Sequence, residues 1–154
     1  MSLFMGYDIA EAITDALNGT GGPCENQRAA VRKHAVKATL EDVARVDDAD
    51  EDEPIVTVFV RAYSRTRTGR KQWAYLYEIG VCVQSYCLFT DVDRVEELTL
   101  FTEQVIDFVS LAGAMADAAL LTAEQQPLFD STQLDASNQF LAIPTFTYRI
   151  ERSS

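Results

Sequence analysis

The clearest hydrophobic pattern in the chain is the alternation between Gln72 and Gln84. Successive side chains of a strand point to opposite faces, so this run predicts a strand with two different faces. One face carries aromatic and β-branched residues: Trp73, Tyr75, Tyr77, Ile79, Val81 and Val83. The other face is mixed: Ala74, Leu76, Glu78, Gly80, Cys82 and Gln84. We expect the aromatic face to pack in the core.

A second strand precedes this one. The residues from Ile55 to Ala62 are rich in β-branched side chains, which favour strands. A polar, turn-like segment, SRTRTGRK at 64–71, separates the two runs. The pattern therefore predicts an antiparallel hairpin with a long basic tip.

Two segments have helical periodicity. In the first, 8–18, Ile9, Ile13 and Leu17 form one apolar stripe; Asp8 is the expected N-cap, and Asn18-Gly19 ends the helix. The second runs from about Val92 to Gly113 after a capping Asp91. Its predicted apolar face consists of Val92, Val95, Leu98, Thr102, Val105, Ile106 and Val109. Its predicted solvent face is acidic: Asp93, Glu96, Glu97, Glu103 and Asp107.

The remaining segments are less regular. Residues 27–37 fit an edge strand or a short helix, and their basic residues favour the edge strand. Residues 114–139 are expected to form an irregular connection with a helical turn near 114–121. A last strand is predicted from Phe140 to Ile150, with Phe146, Tyr148 and Ile150 on one face and Pro144 at an edge or a bulge.

Together these elements predict a single α+β domain over residues 1–154. We expect a roughly four-stranded, mostly antiparallel sheet. A long helix and an N-terminal helix cover one of its faces.

The charge balance restricts the partners. The chain has 154 residues, a net charge of −11 and 47% hydrophobic residues, which is typical of a globular protein but disfavours nucleic-acid backbones and anionic membranes. Neither a signal peptide nor an apolar run of the ~20 residues needed to cross a bilayer is present, so we expect synthesis in a cytoplasm and no membrane association.

Candidate catalytic chemistry is sparse. We find no phosphate-binding glycine loop and no nucleophile elbow, and His34 has only basic neighbours. The chain has three cysteines, Cys24, Cys82 and Cys87, and an odd number argues against a disulfide framework. Cys82 and Cys87 lack the spacing of a zinc site, so we expect buried free thiols. A nucleophilic Cys–His pair remains an open alternative. We expect no enzymatic activity, metal or cofactor.

The acidic run 41–53 is expected to be a solvated loop, since it lacks the spacing of an EF-hand loop. It supplies six candidate interface carboxylates: Asp47, Asp48, Asp50, Glu51, Asp52 and Glu53.

The basic tip contains the sharpest candidate site: Arg65, Arg67, Arg70 and Lys71. It is either a solvated loop or a docking element whose guanidinium groups pair with carboxylates. Because carboxylates occur in the acidic run and on the long helix, copies of the chain have the charges to bind head to tail and close a ring. Nucleic-acid binding is the competing interpretation of the tip, and a ligand platform is the competing interpretation of Trp73, Tyr75 and Tyr77.

Several segments, in order, resemble a pattern in small neck and tail proteins of long-tailed bacteriophages. They are the opening DIAEAITDALN, the block IVTVFVRAYSRTRTGRKQWAYLYEIGVCVQ, the later VEELTLFTEQVIDFV and the closing FLAIPTFTYRI. The likeness spans residues 8–150 and lies in order and spacing. The acidic run 41–53 and the connection 114–139 depart from the pattern.

The resemblance implies a tail terminator or tail-completion protein. Such a virion protein forms a homo-oligomeric ring, commonly a hexamer, on the tail tube and joins it to the head–tail connector or head-closure protein. DNA passes through the ring without specific binding. The alternative is an acidic inhibitor that mimics DNA and acts on a DNA-binding partner.

Overall fold

A computed structural model describes residues 5–24, 30–32, 54–88, 90–124, 134 and 138–153. The described chain has the predicted α+β class, with two helices and six strands. In chain order the elements are α1 Met5–Asn18, β1 Ala30–Arg32, β2 Ile55–Gly69, β3 Gln72–Tyr86, α2 Val92–Ala112, β4 Ala119–Glu124, β5 Gln139–Ala142 and β6 Thr145–Ser153.

The strand order is β1-β2-β3-β6-β4, and β5 also pairs with β3. The sheet has six strands where roughly four were predicted, because β4 was not foreseen and the predicted last strand is divided into β5 and β6. Every described pair is antiparallel except β1 with β2, so the mostly antiparallel prediction is confirmed. The short β1 is an edge strand, as favoured for 27–37; the rest of that segment lies outside the described residues.

Helix α1 begins earlier than predicted. It includes Met5, which is buried one turn before Ile9 and extends the same apolar stripe. Asp8 therefore lies within the first turn and is not the N-cap. The predicted end at Asn18-Gly19 is confirmed, and the chain then turns back so that the N–H of Cys24 donates to the carbonyl of Leu17 at 3.0 Å.

Helix α2 has the predicted bounds and cap. The side chain of Asp91 accepts a hydrogen bond from the backbone N–H of Arg94 at 3.2 Å, and Gly113 follows the helix with φ of 68°. The buried face consists of Leu98, Phe101, Thr102, Val105 and Val109. As expected, both helices pack on one face of the sheet: α1 contacts β2 and β3, and α2 contacts α1, β4 and β5.

The main core lies between the two helices and one face of the sheet. Its most buried members include Ile13 of α1, Val105 of α2 and Ile79 of β3. A second, smaller cluster lies on the opposite face and joins Phe59, Cys82 and Leu141. The two clusters explain why both faces of β3 are buried at its centre, where the alternation predicts only one packed face.

The segment 114–121 is not helical. The backbone groups of Met115 and Ala118 exchange hydrogen bonds at 3.0 and 2.9 Å across a two-residue turn, and β4 follows. Ala116 and Asp117 hold this turn with φ of 49° and 68°. Non-glycine residues adopt such angles uncommonly, and the usual Asn-Gly signal is absent, so the sequence pattern does not predict the turn.

The predicted last strand is divided at Ile143 and Pro144 into β5 and β6. The register does not shift there, because Ala142 pairs with Val83 and Thr145 with Gly80. Pro144 is therefore not at a bulge, and β6 lies between β3 and β4 rather than at an edge. The proline carbonyl still accepts the N–H of Val81 at 3.0 Å. The face containing Phe146, Tyr148 and Ile150 packs on the core as predicted.

Candidate functional site: an arginine and aromatic surface on the hairpin

The basic tip is part of a long paired hairpin, not a long loop. Strands β2 and β3 have 15 residues each and pair as far as Gly69 and Gln72, so only Arg70 and Lys71 form the turn. Arg65 and Arg67 stand within β2, opposite Tyr75 and Trp73. The expectation of a turn-like segment over 64–71 is wrong for these residues. Its threonines fit a strand, and the aromatic strand supplies a pairing partner.

The hairpin has a buried half and an exposed half. Val56, Val58 and Phe59 of β2 are buried, whereas every side chain from 61 to 68 is exposed. On the other side of β3, strand β6 pairs along the hairpin as far as Ser153 opposite Gln72. The exposed half is therefore a three-stranded sheet, in which β2 shifts its register between Val60 and Ala62 and again between Arg67 and Gly69.

One face of this exposed half carries stacked arginine and aromatic side chains. We call it the arginine–aromatic surface, and it consists of Tyr63, Arg65, Trp73, Tyr75 and Arg152. It continues the helix-covered face of the sheet, since Tyr75 and the neighbouring Tyr77 also contact the main core.

The geometry of the arginine–aromatic surface is defined by ring contacts. The Arg65 guanidinium carbon lies 4.8 Å from the centroid of the Trp73 ring, and that of Arg152 lies 5.6 Å from the Tyr75 ring. The rings of Tyr63 and Tyr75 stack at 6.4 Å between centroids. A cation–π contact at an exposed site contributes about 0.5–1 kcal/mol. The stacking limits the rotamers of both arginines while their N–H groups remain available for an anion.

The four predicted tip residues have different roles. Arg67 folds back over the turn, where its Nε donates to the carbonyl of Gly69 at 3.0 Å and its Nη2 to that of Arg70 at 2.7 Å. Arg70 and Lys71 are exposed in the turn. Only Arg65 belongs to the arginine–aromatic surface. Sequence reasoning missed Arg152 and Tyr63, whose position follows from the β2–β3–β6 register and not from any local motif.

The opposite face of the exposed half is better neutralised. There Arg149 pairs with Glu151 at 2.7 Å, and Arg61 donates to the hydroxyl of Thr145 at 2.9 Å. Neither Arg65 nor Arg152 makes an ion pair within the described part of the chain. Positive charge is thus concentrated on one face of a protein whose net charge is −11.

Helix α2 presents the contrasting surface. Its outward side, here called the outer stripe, combines exposed carboxylates with exposed aliphatic side chains: Val92, Asp93, Glu96, Leu100, Glu103, Asp107 and Leu111. Leu100 is 52% exposed and Leu111 88%. The predicted acidic face is confirmed, but Val92, predicted on the apolar face, is 70% exposed, and the leucines of the outer stripe were not singled out. The other six candidate carboxylates, Asp47 to Glu53, lie outside the described residues.

The aromatic row of β3 is divided between core and surface. Tyr77 is buried in the main core, and burial raises its pKa. Tyr75 packs at the edge of this core, and Trp73 is half-buried beneath Arg65. The prediction that the aromatic face packs in the core is therefore confirmed for Tyr77 and in part for Tyr75, whereas Trp73 lies at the surface.

Burial disfavours the thiolate form of Cys24 and Cys87. All three cysteines are buried thiols, and burial raises the pKa of Cys24 to about 11 and also raises that of Cys87. A reactive cysteine needs a lowered pKa to form its thiolate. Among the residues that the structure describes, no three His, Cys, Asp or Glu side chains are grouped to hold a metal ion. His34 lies outside them.

Neither described helix is both long enough and apolar enough to cross a bilayer. Comparison with models of known protein families gives no match, and comparison with curated proteins gives none.

Proposed function

We propose that this chain is a structural subunit of a phage neck or tail. In this proposal it closes into a homo-oligomeric ring, of which a hexamer is the expected form, and the ring ends the tail tube and joins it to the head–tail connector. The location is then the virion, and the genome passes through the ring without specific binding.

The observation that carries this proposal is the exposed half of the β2–β3 hairpin. It extends beyond the helix-covered core and is supported by β6, so it reaches a neighbour without losing backbone pairing. A rigid projection loses little conformational entropy on binding, and a flexible loop would lose more. Its charge is opposite to that of the outer stripe, and two different surfaces of one chain are what a head-to-tail ring requires.

The net charge also supports passage of DNA. A ring of chains that each carry −11 repels a polyanion on average, which keeps the duplex from adhering to the wall. The inhibitor alternative has less support, because the described carboxylates of α2 alternate with leucines and are not a continuous row spaced like phosphates.

The test is the mass and shape of the purified chain, alone and with a candidate tail-tube protein. Light scattering after size exclusion and negative-stain microscopy are expected to show a closed ring, and the ring is expected to limit tube length when added to growing tubes. A chain that stays monomeric at all concentrations, with tube and connector proteins present, overturns the proposal. A tight complex with a DNA-binding protein favours the inhibitor alternative.

A further inference from the structure

We infer that the arginine–aromatic surface of one copy docks on the outer stripe of α2 in the next copy. The inference rests on the proposed function, because it names the two surfaces that would meet in the ring. It goes beyond opposite net charges, since both surfaces also expose apolar side chains that need a cover.

The chemistry of the two surfaces is complementary. Arg65 and Arg152 offer planar guanidinium groups that bind carboxylates through two parallel hydrogen bonds. Glu103 and Asp107 lie one helical turn apart on the outer stripe and are exposed. Leu100 and Leu111 flank them along the helix. The rings of Tyr63 and Trp73 are apolar, so contact with them would remove these leucine side chains from water.

The dimensions also agree. From Trp73 to the level of Tyr63, which pairs with Tyr77, the surface spans about 13 Å at ~3.3 Å per residue, and the strands β2, β3 and β6 together span about 10 Å at ~4.8 Å between neighbours. From Leu100 to Asp107 the helix spans about 10 Å at 1.5 Å per residue, and Leu111 lies about 6 Å beyond Asp107. The two turns from Leu100 to Asp107 therefore fit on the arginine–aromatic surface, and Leu111 lies at its end.

Such a contact is smaller than a standard interface of about 800 Å² per partner, so a single pair should be weak. We expect assembly to depend on protein concentration and to weaken as salt rises from about 50 to 500 mM, where the screening length falls below 10 Å.

The experiment uses two charge-reversed forms of the full chain. The first, Arg65→Glu with Arg152→Glu, makes the arginine–aromatic surface acidic. The second, Glu103→Arg with Asp107→Arg, makes the outer stripe basic. Each alone should assemble at least tenfold less well than the wild type, because its two surfaces then repel. Mixed in equal amounts, the forms should assemble again, since each reversed surface now faces the other.

Matched controls place the same charge changes elsewhere. Arg61→Glu with Arg149→Glu reverses the opposite face of the hairpin, and Glu11→Arg with Asp15→Arg reverses exposed positions of α1. Both controls should assemble like the wild type. Circular dichroism and a thermal melt of each form establish that it is folded.

The outcomes separate this inference from the proposed function. If the wild type forms rings but the mixture does not recover, the pairing of these two surfaces is wrong and the ring stands. If the wild type forms no assembly with any neighbour, both fail. A labelled single-stranded oligonucleotide provides a further test. If it binds the wild type but not the first charge-reversed form, nucleic acid occupies the arginine–aromatic surface and the inference is overturned.

Discussion

The two halves of the β2–β3 hairpin share one backbone, but a register shift between Val60 and Ala62 separates them and their surroundings differ. In the proximal half, Val58, Ile79 and Val81 are fully buried between α1 and the rest of the sheet. In the distal half, Tyr63 is 48% exposed and its ring contacts the rings of Tyr75 and Tyr77 in β3. The difference shows that alternation specifies which residues share a face, whereas the covering helix decides whether that face becomes core or binding surface.

The largest expected effect is on the proximal half. Ile79→Ala removes a fully buried side chain and should lower the free energy of unfolding by about 2–5 kcal/mol, because the cavity left behind adds to the lost burial. Trp73→Ala in the distal half should lower it by less, since that ring is already partly in water. Urea unfolding of both variants measures the contrast. Equal losses would contradict the division of the hairpin into two halves.

The free energy of unfolding should depend on pH through the buried Cys24 thiol. Burial raises the pKa of the Cys24 thiol from 9.0 to about 11, so folding favours its neutral form. The resulting stabilisation is present below pH 9 and is lost as pH rises from 9 to 11, where the unfolded thiol ionises first.

Urea unfolding between pH 7 and about 10.5 measures this loss. The variant Cys24→Ala should show a shallower decline. The decline should not vanish, because burial also raises the pKa values of Cys87, Tyr77 and Tyr148. An unchanged slope in the variant would exclude Cys24 as the source.

A smaller effect is expected at Gly80, which pairs with Phe59 across β2 and β3. A Cβ on Gly80 would lie 2.8 Å from Cζ of Phe59, so Gly80→Ala should cost about 1–3 kcal/mol through overpacking. Phe59→Leu in the same chain should recover part of the loss by shortening the side chain. Thermal melts of the single and double variants test the coupling between Gly80 and Phe59. Strictly additive losses would mean that the Phe59 ring is not the group that requires glycine at position 80.

The smallest expected effect lies at the end of the distal half. Arg67→Ala removes two hydrogen bonds to turn carbonyls and should cost roughly 1 kcal/mol or less, since both groups are exposed to water. Arg67→Lys should not restore them, because one ammonium group does not reproduce the guanidinium fork. Chemical shifts of the Gly69 and Arg70 carbonyl carbons report the change directly. A loss of unfolding free energy as large as that of Ile79→Ala would contradict this expectation, because it would mean that the turn contributes as much to stability as a core residue.

Most of the fold could be predicted from the sequence because periodicity is a local signal. Helix α2, with its Asp91 cap, and strand β3 follow from it directly. Strand β4 does not, since its turn uses Ala116 and Asp117 in a conformation that neither residue favours. The extent of β2 was underestimated because serine, threonine and arginine alternate there without an apolar face.

The candidate site was only partly predictable. Arg65 belongs to a conspicuous basic segment, but Arg152 is 87 positions away and joins it only through the pairing of β6 with β3. The role of Arg67 depends on side-chain geometry at the turn, which no sequence spacing encodes. Non-local pairing and the packing order of the two helices are the parts that periodicity cannot supply.

The two-residue turn at Arg70-Lys71 has a consequence for proteolysis. Trypsin cleaves after lysine and arginine, and the hairpin offers such bonds at Arg65, Arg67, Arg70 and Lys71. A protease needs an unpaired, extended substrate segment, whereas these residues are held in a ladder or in a tight turn. The intact hairpin should therefore survive brief digestion despite its sequence. The rate of cleavage there then measures how often the end of the hairpin unfolds locally.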